Sequence, residues 1–283
     1  MRHLTGFSEI AAEYDGFILD LWGVIHDGVT PYPGAARCLE ELRAAGKRVV
    51  LLSNAPRRAH VAQNALRGMD LSDDLYHGIM TSGEATHAML RDRADPWFAA
   101  LGNQMFHLGP ERDRNVFETL AITRVDDPAA ASFVLNTGPD DLNSNSEMDQ
   151  HAPVLQACLA AGLPMICANP DLEVIRGGNR VLCAGALTRR YEALGGQARW
   201  IGKPDPAIYP PVLAMLDRAK SRVLAVGDAL RTDIAGARAA GIDSCWVLGG
   251  IHSAELAGDA GKINAAAAAE RLAPKACIAA FVW

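Results

Sequence analysis

The chain has 283 residues, of which 49% are hydrophobic and 21% are charged, and its formal net charge is −6. This length is comfortable for two domains, and the composition is that of an ordinary globular protein. The negative charge excludes a broadly basic surface for nucleic acid or anionic lipid, and no apolar run approaches the ~20 residues that span a membrane.

The first part of the chain alternates short apolar runs with helical patterns. The helical pattern that begins at Gly34 has Ala35, Leu39 and Leu42 on one face and ends before Gly46. In chain order, the predicted elements are a strand at 17–19, a helix at 34–45, a strand at 48–52 and a helix at 57–68. Strands and helices that alternate in such short units favour a parallel sheet with right-handed crossovers.

The middle of the chain has strands and helices of its own. Strands are predicted at 104–108, 131–135 and 164–167, helices at 151–161 and 187–194, and a polar loop at 139–146. This is more ordered sequence than a connection inside one domain contains. We therefore predict an inserted α/β domain at residues 83–197.

The last part of the chain returns to the alternation of the first part. In chain order, we predict a strand at 198–201, a helix at 206–216, a strand at 222–226, a helix at 234–240, a strand at 243–248 and, over 264–283, an alanine-rich helix followed by a short strand. The fold class expected is α/β, with a doubly wound, mainly parallel Rossmann-like sheet formed by residues 1–82 and 198–283.

Four segments place polar side chains at or near the ends of predicted strands. These are ILDLWGV at 18–24, LLSN at 51–54, GKPD at 202–205, and VGD at 226–228 together with Asp233. In open α/β sheets, ligands bind in the crevice outside the carboxyl ends of the strands. We therefore expect these side chains to lie together in one site.

Two of the segments suit phosphate chemistry. Asp20 is a candidate nucleophile, because a carboxylate can attack phosphorus and form an aspartyl phosphate. Ser53 and Asn54 offer a hydroxyl, an amide and backbone N–H groups to phosphate oxygens, although the same residue types also cap helices. Either segment alone would be an ordinary turn or cap.

The other two segments supply charge. Lys203 would neutralise a transferring phosphoryl group, and Asp228 and Asp233 are hard oxygen ligands of the kind that Mg²⁺ takes together with phosphate and water. Singly, each of these residues is more often structural. Their common placement at strand ends favours a functional site.

Together the four segments resemble the four motifs of the haloacid dehalogenase superfamily of aspartate-dependent phosphohydrolases. The position of the insert, after Ser53 and before Lys203, is similar to that in the class IIA or NagD-type members, which have a large α/β cap domain. Further segments that resemble this class are PGA at 33–35, TSGEA at 81–85, ANPD at 168–171, GAL at 185–187 and GDALRTDI at 227–234.

The resemblance implies a Mg²⁺-dependent hydrolase of a small phosphorylated metabolite, in the sugar or nucleotide phosphate class, that acts through an aspartyl phosphate on Asp20. Lys203 would be the second catalytic residue, and the insert would be the cap that selects the substrate. The Mg²⁺ ligands implied are Asp20, the backbone carbonyl of Trp22, Asp228 and Asp233. The substrate-binding residues implied are Ser53, Asn54, Lys203 and, on the cap, Asn169 and Asp171. Some caps of this kind form dimer contacts, so a homodimer is possible.

Trp22 departs from the pattern of this family. Its phosphatases usually have a second aspartate there, which protonates the leaving oxygen and then activates water, and an indole can do neither. Three interpretations stay open: a substitute acid such as His26 or Asp27, a preference for good leaving groups, or a catalytically weak phosphate-binding or regulatory protein. Cleavage of a carbon–halogen or carbon–phosphorus bond is a fourth, but Asp228 and Asp233 argue against dehalogenation, which needs no Mg²⁺.

The amino terminus and the cysteines bear on the compartment. Residues 1–6 contain no apolar stretch of signal-peptide length, and none of the six cysteines forms a C-x-x-C pair. Most of the cysteines lie in apolar stretches, which is typical of reduced thiols in a core. We expect a cytoplasmic protein that binds neither nucleic acid nor a membrane.

Overall fold

The computed structural model describes residues 1–139, 148–256 and 258–283, and mainly parallel sheets organise them. Within these ranges the strands are β1 (Arg2–Leu4), β2 (Gly16–Leu19), β3 (Arg48–Ser53), β4 (Ile79–Thr81), β5 (Gln104–Leu108), β6 (Thr123–Val125), β7 (Phe133–Asn136), β8 (Met165–Cys167), β9 (Glu173–Arg176), β10 (Asn179–Leu182), β11 (Ala198–Trp200), β12 (Val223–Gly227), β13 (Asp243–Val247) and β14 (Ala276–Ile278). The α-helices are α1 (Ser8–Ala11), α2 (Ala35–Ala44), α3 (Ala59–Arg67), α4 (Ser82–Asp92), α5 (Pro96–Ala99), α6 (Ala152–Ala160), α7 (Ala184–Ala193), α8 (Tyr209–Leu216), α9 (Ala235–Ala240), α10 (Ser253–Leu256) and α11 (Ala260–Ala269).

The larger sheet has seven strands in the order β1-β14-β13-β12-β2-β3-β4, and every neighbouring pair is parallel. The chain runs from β2 to β3 and β4 on one side and returns at β12 on the other. The strand order therefore reverses between β2 and β12, which is where ligands bind in doubly wound sheets. The predicted fold class is confirmed.

Apolar residues cover both faces of this sheet. Phe17, Leu19 and Leu51 pack into one core, whereas Ile18 and Val50 pack into the other. Alternate residues of a strand point to opposite faces, so a strand buried on both faces is a continuous apolar run. This explains why β2 and β3 could be recognised from so few residues.

The second sheet has five strands in the order β11-β8-β7-β5-β6, and all its neighbouring pairs are parallel. Next to β8 in the chain, β9 and β10 form an antiparallel hairpin, whose turn places Gly177 and Gly178 at φ of 51° and 82°. Both central residues of a type I′ hairpin turn need positive φ, which glycine adopts readily. The hairpin was absent from the sequence prediction.

The position of β11 corrects the predicted division of the chain. Residues 198–283 were assigned to the larger sheet, but Ala198–Trp200 pairs with Met165–Cys167 in the smaller one. A three-residue strand has no feature that specifies its sheet, because either sheet accepts a short, half-apolar segment. The predicted boundary before Ala198 therefore falls inside the smaller sheet.

Most of the other predicted elements differ from the observed ones only at their ends. The helix predicted at 206–216 begins with a 3₁₀ turn at Pro206–Ile208, and the alanine-rich helix predicted from residue 264 already begins at Ala260. The helix α4 and the short elements β1, β4, β6, α1, α5 and α10 were not predicted. Of the polar loop predicted at 139–146, all but Pro139 lies outside the described residues.

Two sequence expectations about the chain as a whole can be compared with the structure. All six cysteines are buried and free, as expected of core thiols. Among the described residues, no helix is long and apolar enough to cross a membrane.

Candidate active site

The site lies where β2 and β12 end side by side. Asp20 directly follows β2, and Asp228 directly follows β12, its neighbour in the sheet. A backbone hydrogen bond from Asp20 N to Val226 O, of 2.9 Å, extends the pairing of the two strands by one residue. Two carboxylates are thereby held at the point where the strand order reverses, as the strand-end pattern predicts.

Asp233 completes a buried cluster of three carboxylates. It lies on a π-helical turn, Leu230–Ile234, which leads from β12 into α9, and its Oδ2 accepts a hydrogen bond of 3.1 Å from Ala229 N. Asp228 Oδ2 accepts one of 2.7 Å from Ile251 N. One carboxylate oxygen of each aspartate, Asp20, Asp228 and Asp233, lies within 4.8 Å of the other two.

Lys203 lies in the middle of this cluster. Its ammonium donates hydrogen bonds of 2.7 Å to Asp20 Oδ1, 2.6 Å to Asp233 Oδ1 and 3.1 Å to Leu52 O. The side chain is only 4% exposed, and that of Asp20 is 9% exposed. Three bonds from one buried ammonium fix its position, and they also fix the rotation of the Asp20 carboxylate.

The cluster has more negative than positive charge. Burial, and then the neighbouring Asp233, raise the pKa of Asp20 well above its usual range and that of Asp228 to about 7. Burial alone would lower the pKa of Lys203, but the charges of Asp20 and Asp233 outweigh it and raise that pKa. A divalent cation would remove the repulsion among the carboxylates, and hard oxygen donors are the ligands that Mg²⁺ prefers. The donor set therefore fits a magnesium ion.

Three glycines let the backbone approach the carboxylates closely. A Cβ atom at Gly23 or Gly250 would lie 2.1 or 1.9 Å from Asp228 Oδ2, and one at Gly227 would lie 2.1 Å from Asp233 Cγ. Gly23 also has a φ of 82°, which favours glycine. The roles of Gly227 and Gly250 were missed in the sequence, because they depend on contacts that only the folded chain makes.

Asn54 has a different role from the one expected. Its Oδ1 accepts a hydrogen bond of 2.8 Å from Lys203 N, and its Nδ2 donates to Lys203 O at 3.1 Å and to Asp171 Oδ1 at 2.9 Å. Both N–H groups of the amide are therefore used within the protein. The side chain positions Lys203 and Asp171 and has no donor left for a phosphate.

Ser53 and the segment 168–171 lie around the same point. Ser53, the last residue of β3, accepts a hydrogen bond of 3.2 Å from Ala55 N at its Oγ, and its hydroxyl hydrogen stays available as a donor. Asn169 Oδ1 accepts one of 3.0 Å from Asp171 N, and Arg231 donates to Pro170 O. The loop that follows β8 is thus fastened over the ends of β3 and β12.

Comparison with known proteins identifies the family. The model for haloacid dehalogenase-like hydrolases matches residues 17–123, and a second, HAD-hydrolase-like model matches residues 200–274. The structure of a haloacid dehalogenase-like hydrolase from Brucella suis 1330 superposes with a TM-score of 0.85 and 30% identity, covering 99% of this chain and 100% of that one. This chain belongs to the haloacid dehalogenase-like hydrolases.

Curated relatives place the chain more closely within the haloacid dehalogenase-like hydrolases. It is 30% identical to D-glycerol 3-phosphate phosphatase of Mycobacterium tuberculosis, over 87% of this chain and 66% of that protein. It is 29% identical to ribonucleotide monophosphatase NagD of Escherichia coli, over 83% of this chain and 88% of that protein. The expected class, a NagD-like phosphoric monoester hydrolase, is confirmed.

Trp22, the residue that departs from the family pattern, packs against its own loop. A Cβ atom at Gly28 would lie 2.0 Å from the indole Cη2, so the ring rests on the glycine backbone. The edge-to-face contact with His26 has a centroid distance of 5.4 Å and an interplanar angle of 69°. The indole borders the cavities in front of Asp20.

The two proposed substitutes for the missing acid have structural roles. His26 is 5% exposed, its Nδ1 accepts a hydrogen bond of 2.9 Å from Gly28 N, and burial lowers its pKa to about 4. Asp27 Oδ1 accepts hydrogen bonds from Val29 N and Thr30 N at 2.9 and 2.8 Å, as in an Asx turn. Among the described residues that line the cavities at Asp20, neither His26 nor Asp27 is found.

Two cavities, of about 740 and 100 Å³, meet at Asp20. The larger one is lined by apolar residues of the segment 172–182, among them Leu172, Val174 and Ile175. The smaller cavity is lined by Ser53, the candidate phosphate-binding residue, among others. Together they are of a size that accommodates a small metabolite.

Proposed function

We propose that this protein is a Mg²⁺-dependent phosphatase of a small phosphorylated metabolite, and that Asp20 forms the aspartyl phosphate. The observation that supports this best is the buried cluster at the reversal of strand order. There Lys203 bonds both Asp20 and Asp233, at 2.7 and 2.6 Å. A nucleophilic carboxylate must be held in one orientation, and the negative charge on the phosphoryl group must be stabilised. The Lys203 ammonium can do both, because it bonds Asp20 and lies beside it.

In the first step, an oxygen of the Asp20 carboxylate attacks phosphorus, and the bond from phosphorus to the leaving oxygen breaks. In the second step, water attacks the phosphorus of the aspartyl phosphate, which releases inorganic phosphate and restores Asp20. The Lys203 ammonium balances charge on the phosphoryl oxygens, and the Ser53 hydroxyl and the Asn54 backbone N–H donate to them.

The residues that would hold Mg²⁺ are Asp20, Asp228, Asp233 and the backbone carbonyl of Trp22. When bound, the ion would neutralise charge on the phosphoryl oxygens and bring the substrate against Asp20. The contribution of Trp22 is a main-chain atom, so the indole does not remove it.

Residues 83–200 would form the cap domain, and residues 1–82 and 201–283 the catalytic core. The support is that β11 completes the smaller sheet and that residues 172–182 line the larger cavity in front of Asp20. A cap in this place would exclude water and choose the substrate. The cavity volumes and the phosphate esters named for the relatives support a substrate in the sugar or nucleotide phosphate class.

The test is Mg²⁺-dependent release of nitrophenol from p-nitrophenyl phosphate. Asp20→Asn should abolish turnover while its circular dichroism spectrum stays that of the wild type. Asp27→Asn is the matched control, because that aspartate lies in the same loop but faces a turn, and it should keep wild-type turnover. Undiminished turnover in Asp20→Asn would refute the mechanism. Phosphate binding without any wild-type turnover would instead favour the phosphate-binding or regulatory alternative.

A further inference from the structure

The proposed reaction needs a proton that Trp22 cannot supply. An alkoxide or phenoxide leaving group departs slowly unless an acid protonates it, and a positioned acid typically contributes ~10² to 10⁴ in rate. His26 and Asp27 are used elsewhere in their loop. The acid must therefore be sought among the other residues that border the space in front of Asp20.

Only a few described residues line both cavities that meet at Asp20. Besides Asp20 itself, they are Trp22, Asp171, Val174 and Leu182. Asp171 is the one titratable side chain among these four. It comes from the loop after β8, in the smaller sheet, and its carboxylate is held by Asn54, which directly follows β3. In an in-line displacement, the leaving group points away from the nucleophile and into the space that Asp20 and Asp171 both border.

Two hydrogen bonds hold Asp171 in place. Asn54 Nδ2 donates to Oδ1 at 2.9 Å, and the backbone N of Asp171 donates to Asn169 Oδ1 at 3.0 Å. Because Oδ1 accepts a hydrogen bond, a proton on the carboxyl group belongs on Oδ2. Burial raises the pKa of Asp171, against the opposing effects of Lys203 and of the Asn54 hydrogen bond, which favours the protonated form.

We propose that Asp171 is the general acid that protonates the leaving oxygen, in place of the carboxyl group that Trp22 replaces; this rests on the proposed phosphatase function. As the Asp20 carboxylate attacks phosphorus, the bond to the leaving oxygen breaks, and its electron pair takes the Asp171 proton. The products are a neutral alcohol, the aspartyl phosphate and an Asp171 carboxylate. The carboxylate then takes a proton from the water that attacks phosphorus, so that phosphate leaves, Asp20 is restored and Asp171 is again protonated.

The test compares two aryl phosphates that differ in their need for an acid. Nitrophenol leaves readily as its anion, whereas phenol, which like tyrosine has a pKa of about 10, needs protonation. The readout is kcat/KM, which covers only the steps up to departure of the leaving group. Asp171→Asn should lower kcat/KM for phenyl phosphate by ~10² to 10³, but that for p-nitrophenyl phosphate by less than about tenfold. The Asn54 hydrogen bond to Oδ1 is available to both side chains, so the variant should fold.

Glu173→Gln is the matched control, because Glu173 is a carboxylate in the wall of the larger cavity that pairs with Arg180. Its ratio of the two kcat/KM values should equal that of the wild type. An equal loss on both esters in Asp171→Asn, or no loss on either, would overturn the assignment of the acid. Failure of the phosphatase proposal would appear differently, as wild-type protein without turnover or as Asp20→Asn with full turnover.

Discussion

His107 allows a quantitative prediction about stability and pH. It lies in β5, is 6% exposed, and has an edge-to-face contact with Phe117 at a centroid distance of 5.0 Å. Its Nε2 is 2.9 Å from Thr137 Oγ1, whereas its buried Nδ1 has no hydrogen-bond partner among the described residues. Protonation would place an unsatisfied, charged N–H group in the core, and burial accordingly lowers the pKa of His107 from 6.5 to about 4.

Between pH 6.5 and 4, the unfolded chain binds a proton at this histidine that the folded chain does not. The free energy of unfolding therefore falls as the pH drops through this interval, by about 1.4 kcal/mol per unit. When the pH is lowered from 7.5 to 5.0, His107 changes the free energy of unfolding only over the roughly 1.5 units below pH 6.5. The expected loss of stability from His107 is therefore about 2 kcal/mol. Above pH 6.5 its contribution does not change.

The perturbation is His107→Gln, which removes the titrating group and keeps an amide within reach of Thr137. Urea unfolding at pH 7.5 and 5.0 gives the free energies for both proteins. The variant should be the less stable protein at pH 7.5, because it loses the contact with Phe117, but it should lose about 2 kcal/mol less on acidification. Buried His26 and the carboxylates also change the free energy of unfolding in this pH interval. Their contributions are the same in the wild type and the variant, so they cancel when the two losses are compared. Equal losses in the two proteins would refute the reasoning.

Two further predictions concern the metal site. Gly250→Ala would place a Cβ atom 1.9 Å from Asp228 Oδ2, so the carboxylate must move. Isothermal titration should then show Mg²⁺ binding that is weaker by at least about tenfold. Unchanged affinity would contradict the assignment of Asp228 as a ligand. Asp228→Asn removes one charge from a crowded cluster and should stabilise the metal-free protein at pH 8 by about 1 kcal/mol or more. In thermal melts, the wild type should gain stability with MgCl₂ and the variant should not, and a lower melting temperature of the variant in EDTA would speak against charge repulsion.

The sequence was most informative where local pattern and tertiary environment agree. The apolar runs of β2, β3 and β12 are buried on both faces, and this requires the parallel, helix-covered sheet that was predicted. The same rule placed Asp20 and Asp228 together, because the carboxyl ends of parallel strands meet at one edge.

The sequence was least informative where a residue's role depends on a distant segment. Asn54 contacts Lys203, 149 positions away in the chain, and this contact determines that the amide positions the lysine and is not free for phosphate. Ala198–Trp200 joins the smaller sheet because of its pairing with β8, which no local propensity encodes. The sheet that a short strand joins and the partners that an amide side chain bonds both depend on the assembled fold.

Because Trp22 replaces the usual acid, the reaction in the core would depend on where the insert lies. In the family pattern, the nucleophile and the acid lie two residues apart on one loop, so their spacing is fixed by the backbone. With Asp171 as the acid, the two groups follow strands of different sheets. The Asn54 amide donates to Asp171 Oδ1 and to Lys203 O, and the Lys203 ammonium donates to Asp20 Oδ1, so two residues link the acid to the nucleophile. Protonation of the leaving group then requires the insert to be closed over the core. Esters with good leaving groups would not require that closure to the same degree, so an assay with p-nitrophenyl phosphate alone would overlook it.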